Sequence, residues 1–211
     1  MWKVRGIGME ILEIIPINTK KSKVLLSEGL VFALYQSEIR RLGLKPGEEL
    51  TEEDYFVRIY PLLKKRAFAR ALYILQRSFR TEGELQRKLK QGYYPEEIIR
   101  ETLERIQNYG YIDDRRYAEN YIAQKSKKYS RLQIQYKLLE KGVDRGLIQE
   151  LLEETPAEEG PLIRKLLEKK HFSPDMNREE KQKVMASLFR RGFGYEAVRQ
   201  AMETGWDTEE E

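Results

Sequence analysis

The sequence predicts a mainly α-helical protein, with three tandem three-helix repeats in an elongated array open to curvature, preceded by a small N-terminal β-rich module. Three observations predict it. Gly92, Gly142 and Gly192 stand at 50-residue intervals. The same register holds apolar residues upstream (Leu89, Leu139, Phe189) and downstream (Tyr93, Val143, Phe193; then Ile98, Ile148, Val198), and it aligns Leu72, Ile122 and Phe172. From Thr51 onward apolar residues recur at helical spacing, whereas the first part of the chain has short runs of branched apolar residues between turn-like segments. A register kept through three copies is the mark of one supersecondary unit used three times.

Residues 1–60 read as the small module. Glu10 to Pro16 and Lys23 to Leu26 are strands separated by the polar Lys20-Lys21-Ser22, and Leu30 to Leu34 is a third. Tyr35 to Leu42 then forms a short helix closed by Gly43. About three strands do not make a secure independent domain, so the module is expected to pack on the helices that follow or to stay mobile. Thr51-Glu52-Glu53-Asp54 caps a first turn, and the apolar stripe from Tyr55 to Ile59 is interrupted at Pro61, which opens a helix running to about Arg77.

The first repeat spans residues 61–110. Thr81-Glu82-Gly83-Glu84 is a capping box that starts a helix carrying Leu85 and Leu89, and Gly92 ends it in a left-handed conformation. Pro95-Glu96-Glu97 opens the third helix, with Ile98, Ile99, Thr102, Leu103 and Ile106 at helical spacing before Gly110. Residues 111–158 form the second repeat: a helix from Asp113-Asp114, a second from the capping box Ser130-Arg131-Leu132-Gln133, and a third with Leu147, Ile148, Leu151 and Leu152. Residues 159–205 form the third, with helices from Pro161 and Asn177 and a last one from Tyr195 to Met202; His171 to Asp175 reads as an insertion. Residues 206–211 read as a frayed acidic tail.

Composition excludes most chemistry. The 211 residues contain no cysteine and one histidine, His171, so disulfides, thiolate metal sites and cysteine nucleophiles are ruled out. His171 shares a repeat position with Ala71 and Tyr121, which suits packing or a surface better than catalysis. Asp113-Asp114 is accounted for by helix capping and the helix dipole. Gly6 and Gly8 lack the third glycine and the following helix of a phosphate loop. No catalytic residue, cofactor or metal is expected, and the chain does not read as an enzyme. No apolar run reaches the roughly 18 residues of a membrane span, and the start lacks an apolar export segment, so a soluble cytoplasmic protein, a monomer, is expected.

Charge points to binding. The net charge is only +4 and 35% of residues are charged, but the basic excess is local. Residues 61–110 hold 11 basic against 6 acidic side chains, while residues 1–60 hold 9 and 9, residues 111–160 hold 9 and 10, and residues 161–211 hold 10 and 10. The candidate partner-contacting residues are Lys64, Lys65, Arg66, Arg70, Arg77, Arg80, Arg87, Lys88 and Lys90, with a second group at Lys125, Lys127, Lys128 and Arg131. Tyr73, Tyr93, Tyr94, Tyr109, Tyr111 and Tyr129 are interleaved with them; Tyr117 and Tyr121 read as core filler. Such a surface suits a phosphate backbone and an acidic protein groove equally.

Three segments carry a resemblance: Glu84-Leu85-x-x-Lys88-Leu89-x-x-Gly92; Tyr109-Gly110-Tyr111-Ile112-Asp113-Asp114-x-x-Tyr117-Ala118-x-x-Tyr121; and Leu138-Leu139-Glu140-Lys141-Gly142-Val143. In order and spacing they resemble the RecX family of recombination regulators, well from about residue 65 to 155 and more loosely in the third repeat. The stretch Leu44 to Leu50 is similar to extensions of RecX proteins from Gram-positive bacteria. The resemblance implies a bacterial cytoplasmic protein that binds the RecA filament on DNA and inhibits its ATPase and strand exchange, with direct binding to single- or double-stranded DNA and no catalytic residues. A stand-alone nucleic-acid-binding helical protein is the alternative reading.

Overall fold

The computed structural model describes residues 8–156 and 159–204; the acidic tail and the segment read for export lie outside the described residues. Contacts divide the chain into two compact units, Met1–Asp113 and Asp114–Glu211.

In the first unit, β1 (Met9–Pro16), β2 (Lys21–Leu26) and β3 (Val31–Tyr35) form an antiparallel meander. Strand alternation sends Val24, Leu26, Phe32 and Leu34 into the core. Ile11 and Ile14 both reach that core although they are three residues apart, because a β-bulge between Ile11 and Glu13 resets the alternation. The sheet has four strands rather than three: β4 (Glu49–Leu50) pairs with Met9 and Glu10, giving the order β3-β2-β1-β4. Two residues among charges carry no strand periodicity; only buried Leu50 anchors them. Helix α1 (Gln36–Leu42) ends at a left-handed Gly43.

Pro61 does not interrupt the chain as expected. Helix α2 (Glu52–Asp54) runs through a π turn, Tyr55–Ile59, into α3 (Tyr60–Leu75). The Tyr60 N–H bonds to the Tyr55 carbonyl, five residues back. That wider pattern absorbs the donor that proline lacks and lets the helix continue. Tyr55 and Ile59 are thereby buried under the sheet, and burial, with the nearby charge of Glu97, pushes the Tyr55 phenol up to about 12.

Helix α3 serves two cores. Leu63 and Ala67 pack with the sheet, and Ala71, one turn further, packs with Leu85, Leu89, Ile99, Leu103 and Ile106 of α4 (Glu82–Lys90) and α5 (Glu96–Asn108). Helix α5 is shared likewise, Ile98 facing the first core and Ile99 the second. The β-rich module and the first three-helix repeat are thus one packed body.

In the second unit, α6 (Asp114–Lys125), α7 (Arg131–Lys141) and α8 (Arg145–Glu154) enclose Ala118, Ile122, Ile134, Leu138, Val143 and Ile148. Helices α9 (Gly160–Glu168), α10 (Arg178–Phe189) and α11 (Tyr195–Thr204) enclose Ile163, Leu167, Phe172, Leu188, Phe193 and Val198. The three middle helices all start in capping boxes. Thr81, Ser130 and Asn177 accept from the N–H of Glu84, Gln133 and Glu180 at 3.1, 3.2 and 2.9 Å, and those side chains reach back to the cap N–H.

The repeat register needs correction by one residue in the first copy. Gly142 and Gly192 are left-handed, with φ of 88° and 84°, but Gly92 is not; Tyr93 takes that role at φ 58°. The closing hydrogen bonds agree: Val143 and Phe193 N–H bond to the Leu138 and Leu188 carbonyls, and Tyr94 N–H bonds to that of Leu89. The buried equivalents are therefore Leu89, Leu138 and Leu188, while Phe189 is exposed. Gly92 is required for a different reason, since a Cβ there would lie 2.9 Å from the Tyr94 ring. His171 is also left-handed, at φ 51°, and exposed; it closes α9 rather than occupying a helical position shared with Ala71 and Tyr121.

At Gly192 both demands coincide, because a Cβ would also meet Leu132 Cβ at 2.8 Å. The left-handed backbone alone costs a non-glycine residue about 1–2 kcal/mol. Gly192→Ala is expected to lower the free energy of unfolding by at least that amount, read as a lower denaturant midpoint with an unchanged m-value.

Candidate nucleic-acid interface

The buried stripe of α3 runs through Leu63, Ala67 and Ala71. Arg66, Arg70 and Tyr73 follow one another at spacings of four and three, so they share a second stripe of α3, and Arg77 lies in the turn just beyond the helix end at Leu75. From Arg66 to Tyr73 it extends roughly 10 Å at the α-helical rise. The Tyr73 ring lies between positions 70 and 77, with the Arg70 guanidinium 5.5 Å and the Arg77 guanidinium 4.4 Å from its centre.

The sheet extends this ridge. The Arg66 guanidinium lies 4.4 Å from the Tyr35 ring centre and the Lys21 ammonium 4.7 Å from the same ring. Arg66 pairs with Glu38, whose other carboxylate oxygen accepts from the Tyr35 N–H at 2.8 Å. Lys23 lies 5.6 Å from the ring of Tyr93. Burial pushes the neighbouring Tyr94 phenol up against the opposing positive field of Arg66 and Arg70. Tyr93 is left-handed where the other repeats use glycine.

Five cations, Lys21, Lys23, Arg66, Arg70 and Arg77, thus sit among the rings of Tyr35, Tyr73 and Tyr93. Among the described residues no acidic side chain forms an ion pair with Arg70 or Arg77. Cations held on aromatic faces keep their geometry while remaining available to an anion. The arrangement can follow a polyanionic backbone and offers no acid–base pair. Among the described residues there is also no group of three His, Asp or Glu side chains that could hold a metal ion.

The remaining sequence candidates are dispersed. Lys64 turns to Glu101 on α5 at 2.5 Å; with the Tyr60 hydroxyl donating at 2.7 Å, it holds the Glu101 carboxyl below the usual carboxylate range. Lys65, Arg87 and Lys88 are exposed. Arg80 lies 3.5 Å from Glu84, and Lys90 pairs with Glu96 at 2.6 Å. In the second unit Lys127 and Lys128 are exposed in the turn after α6, and Lys125 lies 6.0 Å from the Tyr121 ring. Tyr117 and Tyr121 stack against each other at 6.3 Å and pack on the core, with Lys141 over both.

Arg131 is committed inside its unit. Its guanidinium donates to the Thr155 carbonyl at 2.8 Å and to the Leu152 carbonyl, closing the end of α8, and its own N–H donates to Glu159 at 2.7 Å. Lys21, Lys23 and Tyr35 escaped the sequence reading. Their one signal was Lys21-x-Lys23, two like charges on one side of a strand.

The comparisons agree with this architecture. Three family models match in succession: the first three-helix domain of RecX over residues 67–105, the second over 113–152 and the third over 159–202. The regulatory protein RecX of Caldanaerobacter subterraneus subsp. tengcongensis is 35% identical over 88% of this chain and 93% of its own length. That of Bacillus velezensis is 30% identical over 92% of this chain and 76% of its own. A crystal structure of regulatory protein RecX superposes with a TM-score of 0.63 at 25% identity, covering 92% of this chain and 98% of that one. RecX from Lactobacillus salivarius shares the fold, with a TM-score of 0.58 at 24% identity over 67% of this chain and 95% of that one. With its three helical domains matched one after another and a curated relative aligned along most of its length, the chain belongs to the RecX family.

Proposed function

We propose that this protein is a cytoplasmic, monomeric regulator that binds the RecA recombinase filament on DNA and inhibits its ATPase and strand-exchange activities. The observation that carries the reading is the unbroken succession of three RecX domains. Physical support comes from the repeats: units of one design, each with its own core, suit a polymer that offers the same site many times. Weak contacts from linked units add through high effective concentration. The cation–aromatic ridge of the first unit supplies the DNA contact. No described helix is long and apolar enough to cross a membrane.

The test is the DNA-dependent ATPase of the cognate RecA. Protein added well below the RecA concentration is expected to lower the steady-state rate. An unchanged rate at saturating protein and low salt would sink the proposal. The alternative, a nucleic-acid-binding protein without a recombinase partner, is favoured by the unpaired state of Arg70 and Arg77; it requires equal affinity for bare DNA and for the filament.

A further inference from the structure

The turn between α3 and α4 holds Phe79 with 92% of its surface exposed. Burial of a phenylalanine ring is among the larger favourable terms open to a single residue, and here it is forgone. The exposure is not the slack of a loose loop. On one side the Arg77 N–H bonds to the Ile74 carbonyl at 3.2 Å, and on the other Thr81 is fully buried in its capping box. Three residues between two such anchors leave the ring little freedom to fold back.

The chemistry around it is one-sided. Arg77 and Arg80 flank it in sequence, and Arg77 is the end of the ridge that begins at Arg66. The tyrosines of that ridge each carry at least one cation: Tyr35 has Lys21 and Arg66, and Tyr73 has Arg70 and Arg77. Among the described residues, no ring or cation lies over Phe79. Phe79 stands two residues beyond Arg77, so a phosphate backbone drawn along Arg70 and Arg77 ends next to an exposed aromatic residue. In a duplex the bases are stacked on one another, so a free ring finds no partner; in a single strand every base has a face to offer.

We infer that Phe79 is a stacking post for an unpaired nucleobase, and that the ridge binds single-stranded nucleic acid in preference to duplex. This deepens the proposed function by naming the form of nucleic acid and the contacting ring, and it rests on the ridge being the nucleic-acid contact.

The experiment uses the full chain without recombinase. Binding of a fluorescent oligo-dT is compared with binding of an abasic strand of equal length, which keeps the phosphates and removes the bases. Wild type is expected to prefer oligo-dT. Phe79→Ala should lose about 5- to 100-fold in affinity for oligo-dT and nothing for the abasic strand, with the same salt slope for both. Phe79→Trp should retain affinity, and its emission, over the background of Trp2 and Trp206, should be quenched by oligo-dT alone. Equal losses on both strands, or no loss on either, overturns the inference. So does a Phe79→Ala protein that binds oligo-dT normally but has lost the RecA filament, since the ring then fills a protein pocket. A base-selective loss with no effect of wild type on the RecA ATPase overturns the recombinase reading and leaves this one standing.

Discussion

Arg131→Ala is expected to destabilise the second unit by about 2–3 kcal/mol, within the usual range for hydrogen bonds made by a charged group to otherwise unpaired acceptors. The loss has a definite origin. The last carbonyls of a helix have no partner inside it, and for α8 the Arg131 guanidinium supplies one at Leu152 and another at Thr155. The preceding residue strengthens the joint: the Ser130 hydroxyl caps α7 and donates to the Arg191 carbonyl at 2.6 Å, tying the second repeat to the third. For a unit of roughly 100 residues such a loss shifts the thermal midpoint by about 10–20 °C. Calorimetry on the variant checks it, and DNA affinity measured well below the midpoint should be unchanged. A stable variant with weakened DNA binding would return Arg131 to the contact surface that its charge suggests.

The second large effect is expected on binding. Replacing Arg70 and Arg77 together by alanine removes two cations that no described acidic side chain pairs with, and that stand on an exposed ridge rather than in a core. If each neutralises one phosphate, the slope of log K against log salt becomes shallower by about 1.4 for a single strand. Affinity at low salt should fall about 10- to 100-fold, at about 1 kcal/mol for each solvent-exposed charge contact. The melting temperature should move by no more than a surface substitution does. Arg87→Ala with Lys88→Ala, on an exposed part of α4, serves as the comparison. An equal loss from that pair would mean that binding follows total charge rather than the ridge.

These contrasts mark how far the sequence could be read. The capping boxes at Thr81 and Ser130 were legible because both partners lie three residues apart, and the helical stripes because α-helical periodicity is a local property; at Asn177 the sequence marked only a helix start, and the structure shows the capping box there. Gly92 misled by one position. A glycine at the end of a helix reads as a left-handed stop, and only the packing of the Tyr94 ring shows that its missing Cβ answers a neighbour instead. Strand β4 and the π turn before Pro61 were hidden for a related reason. Two residues have no period, and the change from α to π bonding leaves no mark on spacing.

The candidate interface divides in the same way. The sequence by itself determined that the first repeat is basic and that tyrosines lie among its cations. It could not rank thirteen candidate side chains, because charge is a property of a residue while availability depends on what lies opposite. The tertiary structure decided that. It turned Lys64 to Glu101, drew Arg131 into the carbonyls at the end of α8, and brought Lys21 and Tyr35 of the sheet to Arg66 of α3. Residues 35 and 66 meet because the sheet and α3 bury a common core, and no local pattern in the chain records a contact made across one.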